Sequence, residues 1–125
     1  MNHSKGNVNV MLAVCTNGDL LPPYVIYKSK DLYNCWCDGG PKGTSYNRSK
    51  SGWINNVIFQ DRFNTIVLPW ARRKSGRKVI TGDNLSSHLN VSVLEKGEKH
   101  DIRFSLLPPN TTDKTQPLDL AFFYL

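Results

Sequence analysis

Arg77-Lys78-Val79-Ile80-Thr81-Gly82-Asp83-Asn84, followed by Leu85-Ser86-Ser87-His88, is the stretch from which the fold is read. A short run with β-branched residues stops at Gly-Asp-Asn and gives way to a helical signal, so a strand delivers the Asp83 carboxylate to the carboxyl edge of a sheet. That edge is where open α/β sheets bind ligands. A second carboxylate, Asp119, stands in Gln116-Pro117-Leu118-Asp119, shortly after Leu107-Pro108-Pro109-Asn110-Thr111-Thr112. These two segments carry the functional reading.

Upstream, Val8 to Cys15 reads as a strand, Asn17-Gly18 as a two-residue turn and Leu21 to Tyr27 as the returning strand, with Pro22-Pro23 where an edge can do without donors. Residues 28–51 are rich in Gly, Ser, Asn, Lys and Asp and read as an irregular connection or a short extra strand. Ser51-Gly52 opens a helical pattern in which Ile54, Val57, Ile58, Phe63, Ile66 and Val67 share one face, and Leu68-Pro69 marks its end. After the Lys78 to Gly82 strand, Ser86 or Ser87 caps a helix that runs to about Lys96 and stops at Gly97. Ile102 to Leu107 is a further strand, and Pro117 with Asp119 begins a last helix. The predicted order is β-β-α-β-α-β-α, without internal repeats.

A chain of 125 residues is the size of one domain, large enough to bury roughly two thirds of its unfolded surface. Sixteen Lys and Arg against ten Asp and Glu give a net charge of +6, which favours polyanionic partners, nucleic acid above all. Arg72, Arg73, Lys74, Arg77 and Lys78 concentrate that charge. They read either as a solvated helix end favoured by the macrodipole or as a phosphate-contacting or nuclear-import patch. Cys15, Cys35 and Cys37 cannot all pair, and Cys-x-Cys without a second pair makes a structural zinc improbable. No apolar stretch is long enough to span a membrane, so the expectation is a soluble intracellular protein without a membrane partner and without a small-molecule substrate.

The order of elements and the motifs Leu21-Pro22-Pro23, Tyr46-Asn47 with Ser51-Gly52-Trp53-Ile54, Gly82-Asp83-Asn84 with Ser87-His88, and Pro108-Pro109-Asn110-Thr111-Thr112 with Gln116-Pro117-Leu118-Asp119 resemble the catalytic core of DDE superfamily transposases, in the pogo/Tigger and jerky-like branch. The resemblance implies a ribonuclease-H-like α/β fold, a mixed sheet flanked by helices, in which three carboxylates hold two Mg²⁺ or Mn²⁺ ions. Such ions offset the repulsion between clustered carboxylates and assist phosphodiester cleavage and strand transfer in DNA. It assigns Asp83 as the second acidic ligand and Asp119 as the third, both catalytic and metal-binding, with Asn84 and His88 supporting the site by hydrogen bonds. The plainer roles, a turn aspartate for Asp83 and a helix-capping aspartate for Asp119, stay open beside these. A nuclear location follows from the same resemblance.

The family's first catalytic aspartate belongs to a strand before the hairpin, and nothing acidic precedes Asp19 here. Asp19 sits in the hairpin turn, expected at the opposite end of the sheet from Asp83. Residues 1–125 therefore read as a partial domain, lacking the first strand and most of the last helix. Because the missing strand would lie between the hairpin and the Asp83 strand, the expectation is two unpaired edges inside the sheet, marginal stability and loss of turnover. The competing readings are a domesticated DNA-binding scaffold and, more remotely, a doubly wound enzyme using Asp83 as phosphoacceptor or general base.

Overall fold

The computed structural model describes residues 8–16, 18–82, 85–106 and 118–124, with Leu106 and residues 118–124 described as backbone. β1 (Val8–Cys15) and β2 (Tyr24–Lys28) form the expected antiparallel hairpin, with Val8 opposite Tyr27 and Met11 opposite Tyr24. The turn holds three residues rather than two. The Cys15 N–H donates to the Asp19 carbonyl at 2.8 Å and the Gly18 N–H to the Cys15 carbonyl at 2.9 Å, with Gly18 at φ 93°. A left-handed third residue suits glycine and leaves the strands correctly twisted. Asn17 lies outside the described residues. β2 begins only at Tyr24, after the donor-less Pro22-Pro23 pair.

The Gly/Ser-rich connection does contain a further strand, β3 (Ser45–Ser49), which pairs parallel with β2. Before it, a short 3₁₀ turn at Asn34–Trp36 packs the buried Trp36 ring between Tyr27 and Tyr33, each centroid 4.6 Å away. The Tyr27 hydroxyl donates to the Trp36 carbonyl, so this long loop is anchored to β2 by its aromatic residues.

α1 (Asn56–Arg62) is capped by Asn55, whose side chain accepts from the Ile58 N–H at 2.9 Å, four residues inside the start read from sequence at Ser51. The helix also passes through Pro69. A π turn at Phe63–Val67 leads directly into α2 (Leu68–Arg72), and the Leu68 N–H donates to the Phe63 carbonyl. Proline in an α-helix leaves the carbonyl four residues earlier without its donor and clashes with it. The wider π turn takes up that mismatch, so the helix continues to Arg72.

β4 (Lys78–Gly82) is as expected. The helix after it is not: a 3₁₀ turn at Leu85–Ser87 is followed by α3 (Val91–Lys99), capped by Asn90, whose side chain accepts from the Val93 N–H. Gly97 lies inside α3 rather than at its end. A Cβ there would come 3.0 Å from the Phe104 ring and 3.4 Å from the Ile102 carbonyl, so glycine serves the close approach of α3 to β5 (Ile102–Leu106). The left-handed residue that ends the helix is Asp101, at φ 57°.

The largest departure is at the carboxyl end. Leu118–Tyr124 is a strand, β6, where a last helix was expected. It pairs parallel with β1 and antiparallel with β4, giving one six-stranded mixed sheet in the order β3-β2-β1-β6-β4-β5. The two open edges expected inside the sheet are thus closed by the chain's own segment. Leu-Asp-Leu-Ala-Phe-Phe-Tyr is rich in aromatics, which favour strands, and two facing rows of unpaired backbone groups reward an inserted strand with hydrogen bonds on both sides.

The helices lie together on one face. Phe104 of β5 meets both Gly97 of α3 and, with centroids 6.0 Å apart, Phe63 of the π turn, and the Lys96 ammonium reaches the Asn64 side chain across the two helices. Tyr24, Ile26, Ala13, Cys15, Ile80 and Ile102 supply the sheet side of this core, and Ile58, Phe59, Phe63, Ile66, Trp70 and Val93 the helical side. Tyr24 is fully buried; its hydroxyl donates to Asp61 of α1 at 2.6 Å and accepts from Asn47 of β3 at 2.8 Å, joining three elements.

Candidate functional site

The registers fix which ends of the strands share an edge. β1 is antiparallel to β2 and parallel to β6, and β6 is antiparallel to β4. The carboxyl ends of β2, β3, β4 and β5 therefore meet the amino ends of β1 and β6 at one edge. Lys28, Ser49 and Gly82 lie there, and Leu118 begins β6 there. Asp19 is at the other edge, as expected from its turn, beside Arg73 and Lys74, which line a pocket with it, Cys15 and Trp70.

Asp83 and Asn84 lie outside the described residues. Asp119 is the second residue of β6 rather than the opening of a helix, and its backbone is what the structure describes. The β1–β6 register steps from Leu12 opposite Leu118 to Ala13 opposite Leu120, so Asp119 is the extra residue at a β-bulge. On the other side of β6, Leu120 stands opposite Gly82. The chain neighbour of Leu120 is Asp119 and that of Gly82 is Asp83.

His88 follows the 3₁₀ turn after β4. Its ring stacks on Phe59 with centroids 5.3 Å apart and its Nδ1 lies 3.2 Å from the Asn56 side-chain oxygen. Burial against the helix lowers its pKa, since a partly dehydrated imidazole resists charging. This links the turn after β4 to the start of α1. Among the described residues, no group of three or more His, Cys, Asp and Glu is arranged to hold a metal ion.

The basic run divides. Arg72, Arg73 and Arg77 are exposed and Lys74 is half-buried, at the end of α2 and in the loop entering β4. Lys78 departs from the expected surface patch: it is 5% exposed and its ammonium donates to the His100 carbonyl at 3.0 Å. A strand residue facing the core can keep its charge only by pairing its polar tip, so Lys78 fastens β4 to the end of α3. The exposed arginines lie at the opposite edge from Gly82, with Arg77 five residues before it, roughly 17 Å away along β4.

Sequence reasoning named Trp53 within the Ser51-Gly52-Trp53-Ile54 motif but gave it no site role. It lies beside the Lys28 end of β2, 64% exposed, whereas Trp36 and Trp70 are buried. The signal beyond that motif was a large aromatic in a polar Gly/Ser/Lys stretch, outside the apolar face shared by Ile54, Val57 and Ile58.

Among the described residues, no helix is long and apolar enough to cross a membrane. No curated protein and no solved structure matches the chain. The model of one family, the DDE superfamily endonucleases, matches residues 5–124, nearly the whole length, and with a mixed α/β sheet that sets the strand containing Asp119 beside β4 this chain belongs to that family.

Proposed function

We propose that the chain is a transposase-derived domain of the pogo/Tigger and jerky-like branch, ribonuclease-H-like in descent, that acts on DNA in the nucleus. Asp83 and Asp119 are the carboxylates of its metal site, with Asn84 and His88 in support. The observation that carries this reading is the pairing of Gly82 with Leu120. Paired Cα atoms are about 5 Å apart and consecutive ones about 3.8 Å, so chain connectivity keeps the Cα atoms of positions 83 and 119 within about 13 Å. Carboxylate oxygens are the donors that Mg²⁺ and Mn²⁺ prefer, and the donor chemistry fits. A divalent ion held there would supply a Lewis acid for a phosphodiester oxygen.

Asp83 and Asp119 match two of the three carboxylates that the family resemblance implies, and β6 lies between β1 and β4. DNA binding is the property proposed for residues 1–125. The scaffold reading draws support from the exposed Arg72, Arg73 and Arg77, which lie away from the carboxylate edge and so can meet phosphates independently of it.

Thermal melting with and without Mn²⁺ tests the site. Binding to the folded chain raises the melting temperature, and Asp83→Ala and Asp119→Ala should each abolish the rise. No Mn²⁺ effect on the parent chain would overturn the shared site. Duplex DNA should bind with strong salt dependence and supercoiled plasmid should remain intact; metal-dependent nicking that disappears in Asp83→Ala would instead show an active nuclease.

A further inference from the structure

The geometry points to Trp53 as a stacking platform for an unpaired base, flanked by Lys28, Lys30 and Lys50, that receives single-stranded nucleic acid at the carboxylate edge of the sheet.

The mounting of Trp53 is rigid although its side chain is in solvent. The Ser49 hydroxyl, on a residue 3% exposed, donates to the Trp53 carbonyl at 2.8 Å, and the Trp53 N–H donates to the Ser51 hydroxyl at 3.2 Å. The preceding Gly52 sits at φ 81°, so close to β2 that a Cβ would lie 2.8 Å from the Lys28 Cβ. The Asn9 side-chain amide of β1 donates to the Gly52 carbonyl. Four contacts from three neighbouring segments thus hold the backbone of an indole that contributes little to the core. Leaving a large aromatic in water forgoes burial energy, and a fixed backbone lowers the ordering cost of using it for binding.

The surroundings select the partner. Lys28, Lys30, Arg48 and Lys50 are exposed around the same loop, alongside Asp31. Lysines are depleted from the centres of protein interfaces, but a cationic groove beside an aromatic face is the usual arrangement for single strands, whose bases offer free π-faces. A duplex keeps those faces stacked on one another, so the platform selects an unpaired strand. β2 and β4 are separated by β1 and β6, and the registers set Lys28 six residues along the strand direction beyond the level of Gly82, so the two lie roughly 24 Å apart, a span of several nucleotides. A strand resting on Trp53 would therefore run toward Asp83 and Asp119; this last point rests on the proposed carboxylate site, whereas the stacking itself does not.

Tryptophan fluorescence reads this contact directly, because Trp36 and Trp70 are buried. In EDTA, a twelve-nucleotide oligo(dT) should quench the emission of the full chain, and Trp53→Ala should weaken its binding about tenfold while leaving duplex affinity unchanged. Trp53→Phe should recover most of the affinity, and Lys28→Gln with Lys50→Gln should flatten the salt dependence. Circular dichroism of each variant confirms its fold. Unaltered oligo(dT) affinity in Trp53→Ala would overturn the inference, as would quenching by neither nucleic acid, which would point to a protein partner instead. Loss of the Mn²⁺ melting shift with this binding intact would sink the carboxylate site alone.

Discussion

Gly82 of β4 faces Leu120 of β6 across an antiparallel pair. That single register ties together the two parts of the chain in which the acidic motifs lie, and it comes from a strand where sequence reading expects a helix. Because β6 also pairs with β1, with Cys15 opposite Phe122, the hairpin and the β4–α3–β5 unit become one sheet only through this segment.

Tyr24→Phe should cost about 1–3 kcal/mol, since it deprives Asp61 and Asn47 of a buried partner. Burial is the main cause of a raised Tyr24 pKa, with the Asp61 hydrogen bond adding to it. The folded state thus prefers the protonated phenol, so this contribution is complete below the ordinary tyrosine value of about 10 and declines as pH rises above it. Urea melts between pH 8 and 11 should show a loss above pH 10 that is smaller in Tyr24→Phe.

His88 has the opposite sign. Its pKa is lowered by burial, so the folded state prefers neutral imidazole and the stability it contributes is present above about pH 6.5 and lost as pH falls below. His88→Gln should flatten the decline in melting temperature between pH 7 and 5. An NMR titration of the imidazole should give a midpoint below the ordinary value.

Gly97→Val should destabilise the chain by about 1–2 kcal/mol in urea, because overpacking against Phe104 and the Ile102 carbonyl outweighs the helical gain from replacing glycine. A rise in stability would mean that α3 can move off β5 at little cost.

The three cysteines are free, with Cys15 buried, Cys35 exposed and Cys37 between them. Burial raises the Cys15 pKa against the opposing Trp70 hydrogen bond and the nearby Lys74 charge. Alkylation at pH 8 should therefore label Cys35 first, Cys37 more slowly and Cys15 only in denaturant, as read by mass spectrometry of the peptides.

The hairpin and β4 were legible because their signals are local. Gly18 can take a left-handed turn, and Val79-Ile80-Thr81 favours an extended backbone wherever it is placed. Asn90 was missed as a cap because Ser86 and Ser87 offer the same chemistry a few residues earlier; the intervening 3₁₀ turn shifts the start. Gly97 was mistaken for a terminator because a glycine required for close packing and one required for a cap look the same in a sequence. Lys78 was counted with its basic neighbours although the alternation of β4 turns it inward, to the His100 carbonyl.

From the sequence alone came the family motifs, the hairpin, the Lys78–Gly82 strand and the placing of Asp19 at the far edge, all set by covalent order and nearest-neighbour preferences. Only the tertiary structure decided the state of Leu118–Tyr124 and the exposure of Trp53. An apolar segment of seven residues satisfies its own backbone as a helix or its neighbours' as a strand, and the open edges of β1 and β4, far away in sequence, determine which is lower in free energy.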